Sequence, residues 1–310
     1  MKLIEKDKIT GETELVDTVI NKDVLRGLQC LPDNYIDMII TSPPYWGLRN
    51  YKVDGQIGQE ESPEKYVETL RSVFSAARRV LKDTGTLWLN LGDTYMSGGS
   101  PSRHFGYADE KNKKGRNIDF HEPQTNKHET IKPKDLVGIP WRVALALQQD
   151  GWYLRSDIIW HKPNAMPESA HDRPSRDHEY IFLFSKNQKY YYDADSIREP
   201  HTSLDDLKRR KNKTYSQNIT RGGTAEQTLG RNRGEFYHPK GRNKRTVWKI
   251  KIKPYPDTHF AVFPKELVRQ CVLAGCPEDG IVLDTFAGSG TTLEVATELN
   301  RRYVGIELNT

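Results

Sequence analysis

A short polar and aromatic turn, Thr41-Ser42-Pro43-Pro44-Tyr45-Trp46, is the stretch of the chain best equipped for chemistry. It follows an apolar run at residues 36–40 that is typical of a buried strand. The two prolines must end that strand, because proline has no N–H to offer a neighbouring strand. Ligands of open α/β sheets bind at the carboxyl ends of the strands. The hydroxyl, carbonyl groups and aromatic faces of this turn suit a planar group that carries an NH2, such as a nucleobase.

A glycine-rich loop near the end of the sequence is the second candidate site. A predicted strand at residues 281–284 runs into Thr285-Phe286-Ala287-Gly288-Ser289-Gly290-Thr291 and then into a helix. The glycines allow a close approach of the backbone to a ligand, and the start of the helix offers free N–H groups. Glu307 ends the next predicted strand, about 20 residues later, where an acid can accept hydrogen bonds from ribose hydroxyls.

The chemistry of this loop favours S-adenosyl-L-methionine over a phosphate-rich cofactor. The loop has no phosphate-binding lysine and lacks the full dinucleotide glycine pattern. Asp284, at the end of the preceding strand, would repel a pyrophosphate and favour a cationic amine. S-adenosylmethionine has a ribose, an amino-acid group and a positive sulfonium, which matches Glu307 and Asp284 together.

Strand and helix signals alternate along the chain, which favours a doubly wound, mostly parallel α/β sheet. Predicted strands cover residues 18–20, 36–41, 85–91, 154–161, 180–184, 281–284 and 303–307. Predicted helices cover residues 24–31, 140–150, 263–274 and 291–300, and another begins after the N-cap Ser62, with Pro63 in its first position. The strand at 180–184 is nearly all apolar, as expected of a central parallel strand.

Composition divides the chain into three parts. Residues 1–194 are predicted to form the catalytic half of one domain, with a polar loop excursion at residues 97–134. Residues 195–250 contain 14 Lys and Arg against 6 Asp and Glu, a net charge of +8, whereas the whole chain carries +5. This local excess predicts a surface for a polyanion, although a solvated charged loop would have the same composition. Residues 251–310 are predicted to form the cofactor-binding half of the first domain.

Several classes of protein are disfavoured by the composition. No apolar run approaches the ~20 residues of a membrane span, and the first residues lack the apolar core of a secretory signal. Cys30, Cys271 and Cys276 are scattered and odd in number, which indicates a reducing, cytoplasmic compartment. Neither paired cysteines nor a Cys/His cluster suggests zinc, so we expect no metal.

Together the two segments resemble the paired motifs of the amino-methylating DNA methyltransferases, which methylate the exocyclic amine of cytosine or adenine. The matching stretches are Ser42-Pro43-Pro44-Tyr45 and Phe286-Ala287-Gly288-Ser289-Gly290. Their order, with the catalytic turn first, is similar to that of the permuted β group. The segments at residues 246–248 and 258–264 are also similar to that family. The family usually continues beyond the strand that ends at Glu307, so the resemblance leaves one edge of the pocket unassigned.

The resemblance implies a seven-stranded sheet of the S-adenosylmethionine-dependent methyltransferase type, with an inserted DNA-recognition region. It implies a catalytic turn made of Ser42, Pro43, Pro44 and Tyr45. The implied cofactor-binding residues are Asp23, Thr41, Phe260, Asp284, Phe286, Gly288, Ser289, Gly290, Thr291 and Glu307. In the basic segment, the residues expected to contact DNA are Lys208, Arg209, Arg210, Lys211, Arg231, Arg233 and Arg242. The partners would be double-stranded DNA and, in a restriction-modification system of a prokaryote or phage, a cognate restriction endonuclease.

The residue types of the turn also indicate how it would act. Ser42 Oγ and the Pro43 carbonyl would accept the two N–H groups of the target amine, and its lone pair would point at the sulfonium methyl. Tyr45 would stack on the base, which must be flipped out of the duplex. Trp46 either assists or belongs to the core. Asp93 either lines the pocket or caps a turn, and the segment at residues 161–164 should lie near the target.

Ser42 favours cytosine N4 as the methylated position, because serine is commoner than Asp or Asn in the cytosine subgroup of the family. Adenine N6 is the alternative. Methylation of RNA or of a protein glutamine is a second class of function, which the basic segment and the permuted order disfavour. A catalytically inactive DNA-binding module is a third, which the intact Ser42, glycines and Glu307 disfavour.

Overall fold

The computed structural model describes residues 2–4, 15–48, 55–96, 128–201, 238–252 and 264–308. Its strands are β1 (Lys2–Ile4), β2 (Thr18–Asn21), β3 (Ile36–Thr41), β4 (Leu81–Leu91), β5 (Tyr153–His161), β6 (His178–Ser185), β7 (Val247–Lys249), β8 (Ile281–Asp284) and β9 (Arg302–Glu307). Its helices are α1 (Val24–Gln29), α2 (Pro63–Val80), α3 (Ile139–Gln149), α4 (Lys265–Gly275) and α5 (Thr291–Glu298). Each predicted strand and helix is present, with ends shifted by at most a few residues.

Within the described residues the strands form a single sheet in the order β1-β2-β9-β8-β3-β4-β6-β5-β7. From β3 the chain moves outward to β4, whereas from β8 it moves to β9 on the other side. The direction of winding therefore reverses between β3 and β8. The carboxyl ends of these strands share one edge because their pairings are parallel. In open α/β sheets such a reversal point forms the ligand crevice.

Helices cover this sheet in two groups. One group is formed by α1, α2 and α3, which contact one another in sequence order, and the other by α4 and α5. The best-defined helix is α2: the side chain of Ser62 accepts a hydrogen bond from the Lys65 amide, and Pro63 occupies the first turn. Tyr66, Leu70 and Phe74 are completely buried on one face of α2. Burying each such side chain stabilises the fold by roughly 1.5–3 kcal/mol.

Two details of the predicted sheet were wrong. The sheet has nine strands among the described residues instead of seven, because the three-residue strands β1 and β7 extend its two edges. The apolar strand β6 is central, as predicted, but it is antiparallel to both β4 and β5. Continuous apolar character reports burial on both faces and does not report direction. The antiparallel direction brings the start of β6, instead of its end, to the edge where the catalytic turn lies.

The chain divides into two compact units. The first contains residues 1–192 and 246–310, and the second contains residues 193–245. In the second unit, the backbones of Glu199 and Arg242 exchange two hydrogen bonds, at 2.9 and 2.8 Å. The domain boundaries proposed from composition, at residues 194 and 250, stay predictions.

Among the described helices, none is both long and apolar enough to cross a membrane. In the same part of the chain, no group of three or more His, Cys, Asp and Glu side chains is arranged to hold a metal ion.

Candidate active site

The reversal point between β3 and β8 is held by a buried hydrogen-bond cluster around Asp284. The Thr41 hydroxyl donates to Asp284 Oδ1 over 2.7 Å, and the Thr292 hydroxyl donates to Oδ2 over 2.6 Å. The amide of Phe286 also donates to Oδ1, at 3.1 Å. Thr285 in turn donates to the Thr41 hydroxyl oxygen at 3.1 Å. Thr41, the last residue of β3, is therefore hydrogen-bonded directly to the end of β8 and to the glycine-rich loop.

Thr41 and Asp284 are enclosed, with 0% and 2% of their surfaces exposed. Burial raises the pKa of Asp284 to about 6, against the lowering effect of the donors from Thr292, Thr41 and Phe286. Both oxygens of this carboxylate are already used to hold the loop. The direct contact with a cofactor that the sequence predicts for Thr41 and Asp284 stays a prediction.

The glycine-rich loop is shaped for a ligand at the start of α5. Gly290 adopts a left-handed conformation (φ 85°) as the N-cap of α5, which favours glycine. Glu307 Oε2 accepts a hydrogen bond from the Gly288 amide over 2.7 Å, so the acid at the end of β9 is joined to the loop. Ser289 Oγ is buried and has no hydrogen-bond partner among the described residues. A buried hydroxyl without a partner is costly unless a ligand completes its bonding.

Asp23 lies near the end of β2, which is the neighbour of β9 in the sheet. It lies two residues after the end of β2, whose last residue Asn21 pairs with Glu307 of β9. The Asp23 carboxylate caps α1 by accepting a hydrogen bond from the Arg26 amide over 3.0 Å. Asp23, which the resemblance implies is a cofactor-binding residue near the adenine ring, is thus at the same edge of the sheet as Glu307.

Neighbouring elements brace the catalytic turn from behind. The Tyr66 hydroxyl of α2 donates to the Pro44 carbonyl over 2.8 Å. Trp46 is buried and donates from its indole N–H to the Glu60 carbonyl over 2.9 Å. Of the two roles that the sequence left open for Trp46, the structure supports the core role. By contrast, no described residue donates a hydrogen bond to the Pro43 carbonyl.

In front of the turn lies a polar network that joins Ser42, Tyr45, Asn90, Glu179 and Lys162. The Tyr45 hydroxyl donates to Glu179 Oε2 over 2.7 Å, and the Ser42 hydroxyl is 3.4 Å from the Tyr45 hydroxyl. The Asn90 amide NH2 lies 2.7 Å from the Tyr45 hydroxyl, 2.9 Å from Glu179 Oε2 and 3.3 Å from Ser42 Oγ. The Lys162 ammonium pairs with Glu179 Oε1. The members come from four segments of the chain: the catalytic turn, β4, the residues after β5, and the start of β6.

Burial and neighbouring charges determine which groups of this network carry a proton. Burial alone would raise the pKa of Glu179, but the Lys162 ammonium and the hydrogen bonds from Asn90 and Tyr45 bring its pKa below the usual value. Glu179 is therefore ionised at neutral pH. Burial and the neighbouring Glu179 carboxylate raise the pKa of Tyr45 well above its usual value, so the phenol keeps its proton.

Gly92 gives the Tyr45 ring the space that it occupies. A Cβ atom at position 92 would lie 2.6 Å from Tyr45 Cε2, well inside contact distance. We predict that Gly92→Ala displaces the ring and weakens the Tyr45–Glu179 hydrogen bond. Because a shift of about 1 Å in an active site can cost 10²-fold in rate, the methyl transfer that the sequence resemblance implies should fall by roughly 10- to 100-fold. Methylation kinetics and cofactor binding by calorimetry check this, and a Gly92→Ala variant with unchanged kinetics would contradict it.

Sequence reasoning missed Asn90 and Glu179, and it placed Lys162 near the target without its partner. The signal for Asn90 was its position at the end of β4, on the same edge as the turn. Glu179 gave no signal, because its place depends on the antiparallel direction of β6. The question left open for Asp93 is resolved in favour of a cap, since its carboxylate accepts hydrogen bonds from the amides of Gly138 and Ile139 at the start of α3.

Part of the predicted site lies outside the described residues. This applies to Phe260, Lys208, Arg209, Arg210, Lys211, Arg231 and Arg233. Arg242 is described, and its guanidinium pairs with Glu199 Oε2 at 3.0 Å. Its Nε and one terminal nitrogen are buried without a partner among the described residues. The DNA-contact role of Arg242 stays a prediction.

Fold and site together define a doubly wound α/β protein with a ligand crevice between β3 and β8, the catalytic turn on one side and the glycine-rich loop on the other. Residues 36–310 match the model of the N6/N4 methyltransferase family, which is described as DNA methylase. The chain belongs to this family of DNA methyltransferases, which confirms the predicted family and fold class. The predicted cofactor, S-adenosyl-L-methionine, is confirmed with it.

Similar proteins cover nearly the whole chain. It is 49% identical to the type II methyltransferase M.SmaI of Serratia marcescens, over 94% of this chain and 86% of that protein. It is 46% identical to M.Cfr9I of Citrobacter freundii, over 94% of this chain and 83% of that protein.

Solved structures share the fold at lower identity. The PvuII DNA methyltransferase, described as cytosine-N4-specific, superposes with a TM-score of 0.61 at 17% identity, over 94% of this chain and 81% of its own. A putative DNA modification methylase from Thermus thermophilus, in complex with S-adenosyl-L-methionine, gives a TM-score of 0.53 at 21% identity, over 94% of this chain and 87% of its own.

Proposed function

We propose that this DNA methyltransferase transfers a methyl group from S-adenosyl-L-methionine to the N4 amine of a flipped-out cytosine in duplex DNA. The observation that carries the choice of cytosine is Ser42 at the first position of the catalytic turn. In the family that the sequence resembles, serine is commoner at this position among the cytosine enzymes. The Ser42 hydroxyl lies in the network with Tyr45 and Asn90, directly after the strand that is tied to the glycine-rich loop.

The residues around the glycine-rich loop fit the cofactor. The buried Ser289 hydroxyl, which has no hydrogen-bond partner among the described residues, offers a polar group to a ligand, and the left-handed Gly290 turns the backbone before α5. Glu307 ends β9 and Asp23 lies two residues after the neighbouring strand β2, so both acids lie at one edge of the sheet, where they would hold the ribose and the adenine. S-adenosylmethionine would supply an electrophilic methyl group there. Thr41 and Asp284 would keep the loop and the catalytic turn at a fixed separation.

On the substrate side, the turn would hold the target amine. Ser42 Oγ and the Pro43 carbonyl would each accept one N–H, which aims the nitrogen lone pair away from the turn and stabilises positive charge that develops on nitrogen. The Tyr45 ring would stack against the flipped base. Its hydroxyl is already fixed by Glu179, so the ring is oriented before the substrate binds.

DNA would be held by the basic part of the chain. The excess of Lys and Arg at residues 195–250 favours phosphate contacts, so binding should weaken steeply as salt is raised. The type II relatives favour a place beside a cognate restriction endonuclease in a restriction-modification system of a bacterial cytoplasm.

The identity of the methylated base is the test of this proposal. We expect DNA from cells that express the chain to contain N4-methylcytosine, at one short sequence. Digestion of that DNA to nucleosides and mass spectrometry identify the base, and sequencing of modified bases gives the site. The Ser42→Ala variant is the control for background methylation. N6-methyladenine alone would refute the cytosine assignment while leaving the DNA methyltransferase intact.

A further inference from the structure

The network in front of the catalytic turn uses up its own hydrogen-bond donors. The Tyr45 hydroxyl donates to Glu179, and the Asn90 NH2 is directed at Tyr45, Glu179 and Ser42. Three acceptors are left over. The Asn90 Oδ1 atom is buried without a partner among the described residues, and the Pro43 carbonyl and one lone pair of Ser42 Oγ also remain. A group of side chains with surplus acceptors is complementary to an NH2 group and repels a carbonyl oxygen.

The charge on Glu179 determines which atoms of the network donate hydrogen bonds and which accept them. An ionised carboxylate can only accept, so the Tyr45 hydroxyl must donate to it. The Tyr45 oxygen is then an acceptor, and the nearest hydroxyl that can donate to it is Ser42, at 3.4 Å. With its proton turned towards Tyr45 and one lone pair used by Asn90, Ser42 presents its remaining lone pair to the substrate. The same carboxylate fixes the Asn90 side chain, because only its NH2 end can face an anion.

We propose that Glu179, held ionised by Lys162, is a positioning and specificity-determining residue that makes the catalytic turn an acceptor for the target amine. This inference rests on the proposed function and adds the group that sets the polarity of its site. Glu179 acts through Ser42, Tyr45 and Asn90 and need not touch the substrate. The site would thereby discriminate between a base that carries an amine and its deaminated form, which presents a carbonyl at the same position.

Lys162 has a defined part in this arrangement. Among the described residues, the charged and titratable groups that contact Glu179 are Lys162, directly after β5, and Tyr45 from the catalytic turn, while β4 contributes the neutral Asn90. The Lys162 side chain also lies over the Trp160 ring, 4.4 Å from its centroid, which limits its movement. Without this cation a buried carboxylate takes up a proton at higher pH, and a protonated Glu179 would become a donor.

The first test is Glu179→Gln, which removes the charge and keeps the shape. We expect kcat to fall by roughly 10²-fold, the scale for loss of one preorganised polar contact, with the KM for DNA and the affinity for S-adenosylmethionine unchanged. Glu168→Gln is the matched control. Glu168 is a partly buried carboxylate in the connection between β5 and β6, and it pairs with Arg173 outside the network. Its substitution should leave kcat unchanged.

The second measurement is binding without turnover. Duplexes that contain the recognition site would carry either the target base or its deaminated form, uracil for cytosine or hypoxanthine for adenine. The unmodified protein should bind the amine-bearing duplex more tightly. In Glu179→Gln this preference should shrink by roughly 10-fold or more, because the hydroxyl and amide can then turn to donate to a carbonyl.

The third measurement is the pH dependence of single-turnover methylation in Lys162→Met. In Lys162→Met we expect low activity near neutral pH, which recovers as the pH rises and Glu179 ionises. Lys162→Arg keeps the positive charge, so its activity should not show this rise with pH. Thermal melting shows whether Lys162→Met folds; if it does not, Glu179→Gln and Lys162→Arg decide.

Unchanged kcat and base preference in Glu179→Gln would overturn the inference, as would equal losses in Glu168→Gln. Both outcomes leave the proposed function standing. Failure of the unmodified protein to methylate any DNA would overturn the proposed function and this inference with it.

Discussion

Replacing Ser42 by alanine should reduce methyl transfer by roughly 10²- to 10³-fold, the range found when a preorganised hydrogen-bonding group is removed from an active site. The Ser42 hydroxyl is the side-chain acceptor that the catalytic turn offers, and Asn90 and Tyr45 hold it in place. Without it the amine lone pair loses its direction, so the loss should appear in kcat. The glycine-rich loop is untouched, so S-adenosylmethionine should bind with its original affinity.

Single-turnover methylation, calorimetry with the cofactor and thermal melting together check the Ser42→Ala prediction. Ser72→Ala is a matched control, because Ser72 is an exposed serine of α2 whose hydroxyl donates a hydrogen bond to the Glu68 carbonyl of its own helix. It should keep full activity and stability. If Ser42→Ala methylates DNA as fast as Ser72→Ala, Ser42 does not hold the amine, and the preference for cytosine loses its basis.

The catalytic turn and the glycine-rich loop could be predicted from sequence because each depends on local chain geometry. Pro43 and Pro44 end β3 wherever the strand lies, and Gly290 marks the left-handed cap of α5. The N-cap Ser62 and the periodic apolar residues of α2 are equally local signals. Alternation of strand and helix then implies that the ends of β3 and β8 share one edge, which brings the two segments together.

The Glu179–Lys162 pair could not be predicted in the same way, because it depends on the direction of one strand. With β6 parallel to its neighbours, Glu179 at its start would lie at the opposite edge of the sheet from Tyr45. The antiparallel pairing of β6 with β4 and β5 reverses this and places Glu179 beside Lys162. A pairing between distant segments leaves little trace in the local pattern, since apolar residues bury equally well in either direction.

Asp284 illustrates a different limit, in which the residue is found but its environment is not. Sequence position indicated an acid at the end of a strand that would favour a cationic amine. In the structure the carboxylate is enclosed and takes three hydrogen bonds from the protein, from Thr41, Phe286 and Thr292. Its partners are a strand end, a loop amide and a helix hydroxyl, so its measurable effect should be on stability first.

The stability of the protein should fall as pH rises through the titration of Asp284. Its pKa is about 6 in the folded protein against 3.8 as a reference, so the folded state binds the proton more tightly than the unfolded state. The contribution is therefore fully present below pH 3.8 and is lost by about pH 6, where Asp284 ionises in its buried site. A shift of this size corresponds to about 3 kcal/mol in the free energy of unfolding.

Asp284→Asn should abolish this component, because the neutral amide copies the protonated acid. The Asn carbonyl can still accept from Thr41 and Phe286, and its NH2 can donate to the Thr292 hydroxyl, so the loop stays attached to β3. Urea unfolding of both proteins across this pH range measures the difference. Asp279→Asn, at an exposed turn residue, is the control and should follow the unmodified protein. A pH dependence in Asp284→Asn equal to that of the unmodified protein would contradict the prediction. Loss of S-adenosylmethionine binding in a stably folded Asp284→Asn would instead favour direct contact between this carboxylate and the cofactor's amine.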